Sequence, residues 1–161
     1  MDTLEIRIAA GLELERAGDE QGAIEHFRQV VADYPNDSRA WFEYAGAFDF
    51  AGQEAEAIPH YRRALAMGLD GDYLPRLYVQ LGSSLRNVGA FDEAVALLDE
   101  GIARFPDMPA LRVFRAYALE SAGRSKAAIT ELLELAIRYV QTPDMQGYAR
   151  AIRYYTDERA Q

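Results

Sequence analysis

Two histidines, His26 and His60, stand 34 positions apart in a chain of 161 residues that has no cysteine. Imidazole is the commonest side-chain ligand for a transition metal, and two of them on neighbouring elements could share one ion. A closed zinc site takes four ligands, however, and no third or fourth is indicated beside either histidine. Both are read as amphipathic residues on an outer helical layer. Glu54 and Glu56, Asp92 and Glu93, and Asp99 and Glu100 form close carboxylate pairs. Such pairs do acid–base work when their environments push their pKa values apart. These fall at helix starts or on solvent-facing turns, so solvated surface is the expectation. Serines and threonines are present, but no base is marked as adjacent to any of them. There is no glycine-rich phosphate loop, no His-Glu-x-x-His and no nucleophile elbow. No catalytic, cofactor-binding or metal-ligating residue is assigned, and the chain is expected not to be an enzyme.

Acidic residues number 26 against 17 Lys and Arg, a net charge of −9. A phosphate-binding face needs the opposite balance, so nucleic acid is excluded as an expected partner. Half the residues are hydrophobic, an ordinary globular share. The opening MDTLEIRIAAGLELERAG is broken by charge every few residues and lacks the apolar stretch of a signal peptide. No segment approaches the roughly 20 apolar residues that span a bilayer. A cytoplasmic protein without membrane contact is expected.

The elements that carry these residues repeat. Gly11, Ala45, Gly82 and Ala116 are separated by 34, 37 and 34 positions. Ala23, Ala57, Ala94 and Ala128 follow the same spacings, as do Gly18, Gly52, Gly89 and Gly123. Three series in one register mean an internal repeat of helix, turn and helix. Leu77, Leu81 and Leu85 lie on one face of a helix that Gly89 should end in a left-handed conformation. Phe91, Ala94, Val95, Leu98 and Ile102 then mark a second helix, stopped by Pro106. Paired helices approach closely where one presents Gly or Ala and the other a large residue. Phe27, Tyr61, Leu98 and Leu132 are the large residues expected at those contacts.

This pattern resembles the tetratricopeptide repeat family: Trp41, Tyr44, Ala45, Phe48, Ala57 and Tyr61 in unit two, and Tyr78, Leu81, Gly82, Leu85, Ala94, Leu98 and Pro106 in unit three. Unit one has Arg7 at the tryptophan position. Unit four has Arg112 and Arg115 at two usually apolar positions. The resemblance, closest to small stand-alone bacterial members, implies an all-α solenoid, wound as a right-handed superhelix. Its four hairpins are expected at about 4–37, 38–71, 75–108 and 109–142. The extra three residues before unit three belong to MGLDGDYLP, a loop marked by Gly68, Gly71 and Pro75.

Thr142-Pro143-Asp144 opens a last helix, about 144–159, whose Met145, Tyr148, Ile152 and Tyr155 form a stripe. It is expected to cap the array by covering Leu132 and Leu135. Trp41 and most of the ten tyrosines are expected in the core.

The resemblance further implies a scaffold that binds a protein or peptide partner on a concave face lined by first helices. By register the groove residues are Arg39, Phe42, Arg76, Val79, Arg86, Phe114 and Tyr117, an apolar floor with arginine edges that suits a peptide bearing one or two acids. The carboxylate clamp of chaperone-binding members is not matched: its positions read Ile8, Leu12, Glu43, Arg76 and Gln80, or one unit later Phe42, Gly46, Gln80, Ala110 and Phe114. Self-assembly through the groove or the last helix, giving a homodimer, is the second reading. Charge is uneven along the array: residues 1–37 carry −6 and residues 107–161 carry +1.

Overall fold

The computed structural model describes residues 3–160, with the side chains of 157–160 left aside. Helical periodicity and turn glycines give nine helices among them: α1 (Leu4–Arg16), α2 (Glu20–Asp33), α3 (Ser38–Phe50), α4 (Glu54–Ala66), α5 (Tyr73–Asn87), α6 (Phe91–Arg104), α7 (Pro109–Ser121), α8 (Ser125–Tyr139) and α9 (Pro143–Ala160). Asp19 and Asp37 cap α2 and α3 by accepting from the amides of Gly22 and Ala40, which satisfies donors the helix itself cannot. Gly18, Gly52, Gly89 and Gly123 all adopt positive φ, between 66° and 85°. At each, the glycine and the residue after it turn their amides back onto the last carbonyls of the first helix, as Gly18 does to Glu15 and Asp19 to Leu14. The repeated glycines are therefore the hairpin turns.

Each first helix packs on its own second helix and on both helices of the unit before it. Neighbouring first helices touch one another, whereas no two second helices do among the described residues. An array joined along one edge and splayed along the other must curve, with α1, α3, α5 and α7 on its inner side. Small residues set the hairpin spacing where the repeat predicts: a Cβ on Gly11 would lie 2.4 Å from the Phe27 ring, and one on Gly82 2.8 Å from Leu98. Unit four departs from this. Leu132, its expected large residue, is exposed.

The longer connection before α5 runs from Met67 to Asp72, with Gly68 and Gly71 at positive φ and Leu69 buried as a plug. Pro75 is not part of it but sits in the first turn of α5, where a missing amide costs nothing. Two apolar clusters result. One joins α1, α2 and one side of α3, through Ile8, Phe27, Val30, Ala40, Tyr44 and Ala47. The other runs from Phe42 and Ala45 through units two, three and four.

The last helix corrects the sequence reading. α9 packs on α8 and touches no other helix among the described residues. Ala149 and Thr156 are buried and Met145 and Ile152 half-buried, while Tyr148 and Tyr155 face solvent. Leu135 is buried, whereas Leu132 is left uncovered. Tyr117, Tyr139, Tyr148, Tyr154 and Tyr155, five of the ten tyrosines, are exposed rather than in the core.

Candidate protein-interaction face

The histidines are spent inside their own hairpins. His26 Nε2 donates to the carbonyl of Arg7 at 2.7 Å, and its ring meets Phe27 edge-on. His60 stacks between Trp41 and Phe48 and lies 4.5 Å from Tyr44. Both lie on second helices, α2 and α4, the outer layer as expected, but their rings pack within the hairpin rather than facing solvent. No cluster of potential metal ligands occurs among the described residues. The best-placed hydroxyl for chemistry, Ser84 Oγ, lies 2.8 Å from Asp49 Oδ1, but Ser84 is fully buried and out of a substrate's reach.

Departures from the repeat pattern have local causes. Arg7 stands over the Tyr34 ring and pairs with Asp33, which replaces a tryptophan's packing with a cation–π contact and an ion pair. Arg112 and Arg115 grip the buried carboxylate of Glu131 on α8, Arg112 at 2.6 Å, and Arg115 also reaches Asp99 at 2.5 Å. The sequence showed the two arginines but not their acid, 16 and 19 positions away.

On the inner side the seven groove residues separate into two groups. Phe42 leaves the groove: it is 2% exposed, with its ring against Tyr61 and Tyr73. Arg39 is also committed, pairing with buried Glu43 at 2.5 Å and lying 3.4 Å over the Tyr73 ring. Arg76 is exposed 5.9 Å from the Phe42 and Tyr73 rings and pairs with no carboxylate among the described residues. Arg86 stands 5.7 Å from the exposed Tyr117 ring, which meets Phe114 edge-on at 6.3 Å. Val79 and Phe114 are half-buried and pack against the second cluster. Arg76, Val79, Arg86, Phe114 and Tyr117 thus remain at least partly accessible on the first helices α5 and α7.

The inner side of units one and two is acidic instead. Glu15, Glu43 and Asp49 all bear on the Tyr61 hydroxyl, and with its burial they push that phenol's pKa upward. Burial first, then Glu43, raise the Glu15 pKa from 4.5 to about 7, against the pull of Arg16. Burial also raises Asp49, against hydrogen bonds from Ser84 and Tyr61. Glu15 therefore binds its proton more tightly when folded. Its stabilisation is complete below pH 4.5 and is lost as the pH rises to about 7. Burial and then Arg63 depress His60, which acts oppositely as the pH falls below 6.5, so a variant is needed to separate the two. Glu15→Gln should raise the melting temperature at pH 8, leave it nearly unchanged at pH 4.5 and flatten the profile between them. Parallel profiles for variant and wild type would mean that Glu15 ionises as freely folded as unfolded.

With this geometry, comparison with known proteins is direct. The tetratrico peptide repeat family matches residues 38–159, and a second tetratricopeptide repeat family matches residues 4–47. The chain belongs to the tetratricopeptide repeat family. That fold serves as a scaffold for protein–protein interaction. Among solved structures, the Podosopora anserina putative kinesin light chain with nearly identical TPR-like repeats superposes with a TM-score of 0.75 at 21% identity, over 99% of this chain and 94% of that one. MamA AMB-1 superposes with a TM-score of 0.72 at 17% identity, over 82% of this chain and 76% of that one. The Vi polysaccharide export protein VexE of Salmonella typhi is 32% identical over 96 residues, which is 60% of this chain but only 14% of that protein. Among the described residues of this chain, no helix is long and apolar enough to cross a membrane.

Proposed function

We propose that this scaffold takes a short peptide along its inner face, held mainly by units three and four. The observation that carries the reading is the exposed Tyr117 ring between half-buried Arg86 and Phe114, with exposed Arg76, which forms no ion pair among the described residues, on the same helix as Arg86. Aromatic and arginine side chains are the residue types that dominate binding energy at interfaces. A guanidinium can hold a carboxylate through two parallel hydrogen bonds. Glu15, Glu43 and Asp49 give the face a polarity: an acidic peptide segment belongs over unit three, and a basic or neutral one towards unit one.

A displayed peptide library selected on the wild-type protein supplies the probe, and fluorescence anisotropy measures it. The selected peptides should carry apolar residues with one or two acids. Tyr117→Ala is a cleaner test than Phe114→Ala, because Phe114 also packs against the core. Loss of an aromatic anchor costs about 2 kcal/mol, or roughly thirtyfold in affinity. Arg76→Glu should weaken binding more at low salt than at high salt. Peptides that bind both variants as tightly as wild type would place the interface elsewhere.

A further inference from the structure

The exposed apolar side chains are not spread evenly. Of eleven large ones among the described residues, eight lie from Tyr117 to Tyr155. Register shows why some of them are uncovered. Ile24 and Phe27 in unit one, Ile58 and Tyr61 in unit two, and Val95 and Leu98 in unit three are at most 7% exposed. Their counterparts in unit four, Ile129 and Leu132, are 41% and 44% exposed. In every earlier joint the next first helix contacts both helices of the unit before it, whereas α9 contacts α8 alone. The space left beside α7 is a cleft of about 210 Å³, with Ala116 and Ala128 at its floor and Val113, Tyr117, Ile129 and Leu132 around it. On the same end of the array α9 projects Tyr148 and Tyr155 into solvent.

We propose that this end binds a second copy of the chain about a two-fold axis, with an α9 tyrosine of each copy filling the other's cleft. Hole and knob lie on one terminal unit, as an isologous contact requires. Charge selects the occupant. Residues 107–161 carry a net +1 while residues 1–106 carry −10, so two C-terminal ends meet without repulsion and two N-terminal ends do not. A near-neutral apolar end also offers little to a strongly charged partner. Tyrosine is among the residues enriched where proteins meet, because it buries a large ring at small entropic cost.

Sedimentation equilibrium on the full chain tests the proposal. The wild type should give twice the 18.0 kDa chain mass. Leu132→Glu and Tyr148→Glu should each return the mass to that of one chain with unchanged helicity, since both side chains are exposed. Ile6→Glu, an exposed apolar site at the other end, should leave the dimer intact. An equimolar mixture of Leu132→Glu and Tyr148→Glu regains one intact hole-and-knob contact and should associate at least tenfold more tightly, in order of magnitude, than either variant alone. A wild-type monomer at the highest soluble concentration overturns the proposal. So does a dimer that survives both substitutions, or an assembly that Ile6→Glu dissolves, which would be head-to-tail instead.

Discussion

Gly11→Ala should destabilise the wild-type protein by about 1–3 kcal/mol, and the same change should cost markedly less once Phe27 is alanine. The difference follows from the ring contact. A Cβ on Gly11 would sit 2.4 Å from the Phe27 ring and 2.9 Å from the His26 ring, far inside van der Waals distance. Phe27 is fully buried and His26 is tied to the Arg7 carbonyl, so neither ring can retreat freely. Phe27→Ala alone removes a core aromatic at a cost of about 3–5 kcal/mol. In that background the Phe27 clash is gone and only the 2.9 Å approach to His26 remains, against which alanine's helix preference over glycine contributes about 1 kcal/mol. Urea denaturation of the four proteins closes the cycle. Additive effects would show that the ring and the glycine do not meet.

Glu131→Leu should cost about 3 kcal/mol, and adding Arg112→Leu and Arg115→Leu should restore most of it. The carboxylate is 6% exposed and each arginine side chain 27%. Removing the acid leaves two guanidinium groups crowded together, Arg112 without a counter-charge among the described residues and Arg115 with Asp99 alone, and breaking a buried pair typically costs about 3–5 kcal/mol. Partial solvation of the arginines places the expectation at the lower end of that range. Replacing all three charges by apolar groups removes the desolvation cost along with the attraction, an exchange that is often neutral or stabilising. A triple variant as unstable as Glu131→Leu would mean that the clamp fixes the α7–α8 geometry itself. Melting temperatures of the single and triple variants decide between these outcomes.

The repeat was legible because its signals are local and recur. Gly18, Gly52, Gly89 and Gly123 turn the chain, and Gly11 and Gly82 meet Phe27 and Leu98 as their spacing implied. What escaped the sequence was decided by contacts across units. Phe42 lies at a groove position by register, but the connection before α5 brings Tyr73 against its ring and closes it into the core. Leu132 has the right spacing, but α9 stands away from α7 and leaves it uncovered. The α9 stripe was read through Tyr148 and Tyr155 because they are large. The helix turns Ala149 and Thr156 inward instead, and their small or polar side chains carry no hydrophobic signal. Arg112 and Arg115 looked like defects until Glu131, distant in sequence, supplied their partner.

The division of the core across α3 has a mechanical consequence. Ala40, Tyr44 and Ala47 on one side of that helix belong to the first cluster, and Phe42 and Ala45 on the other side belong to the second. α3 is therefore a shared wall between two stretches of interior, with its Trp41 and Phe48 packing against both. Opening α1 and α2 would sacrifice only the first, leaving α3 held by α4 and α5. The N-terminal hairpin can peel away as a partial unfolding step while the remainder stays native, so its amide protons should exchange with solvent faster than those of α4, α5 and α6.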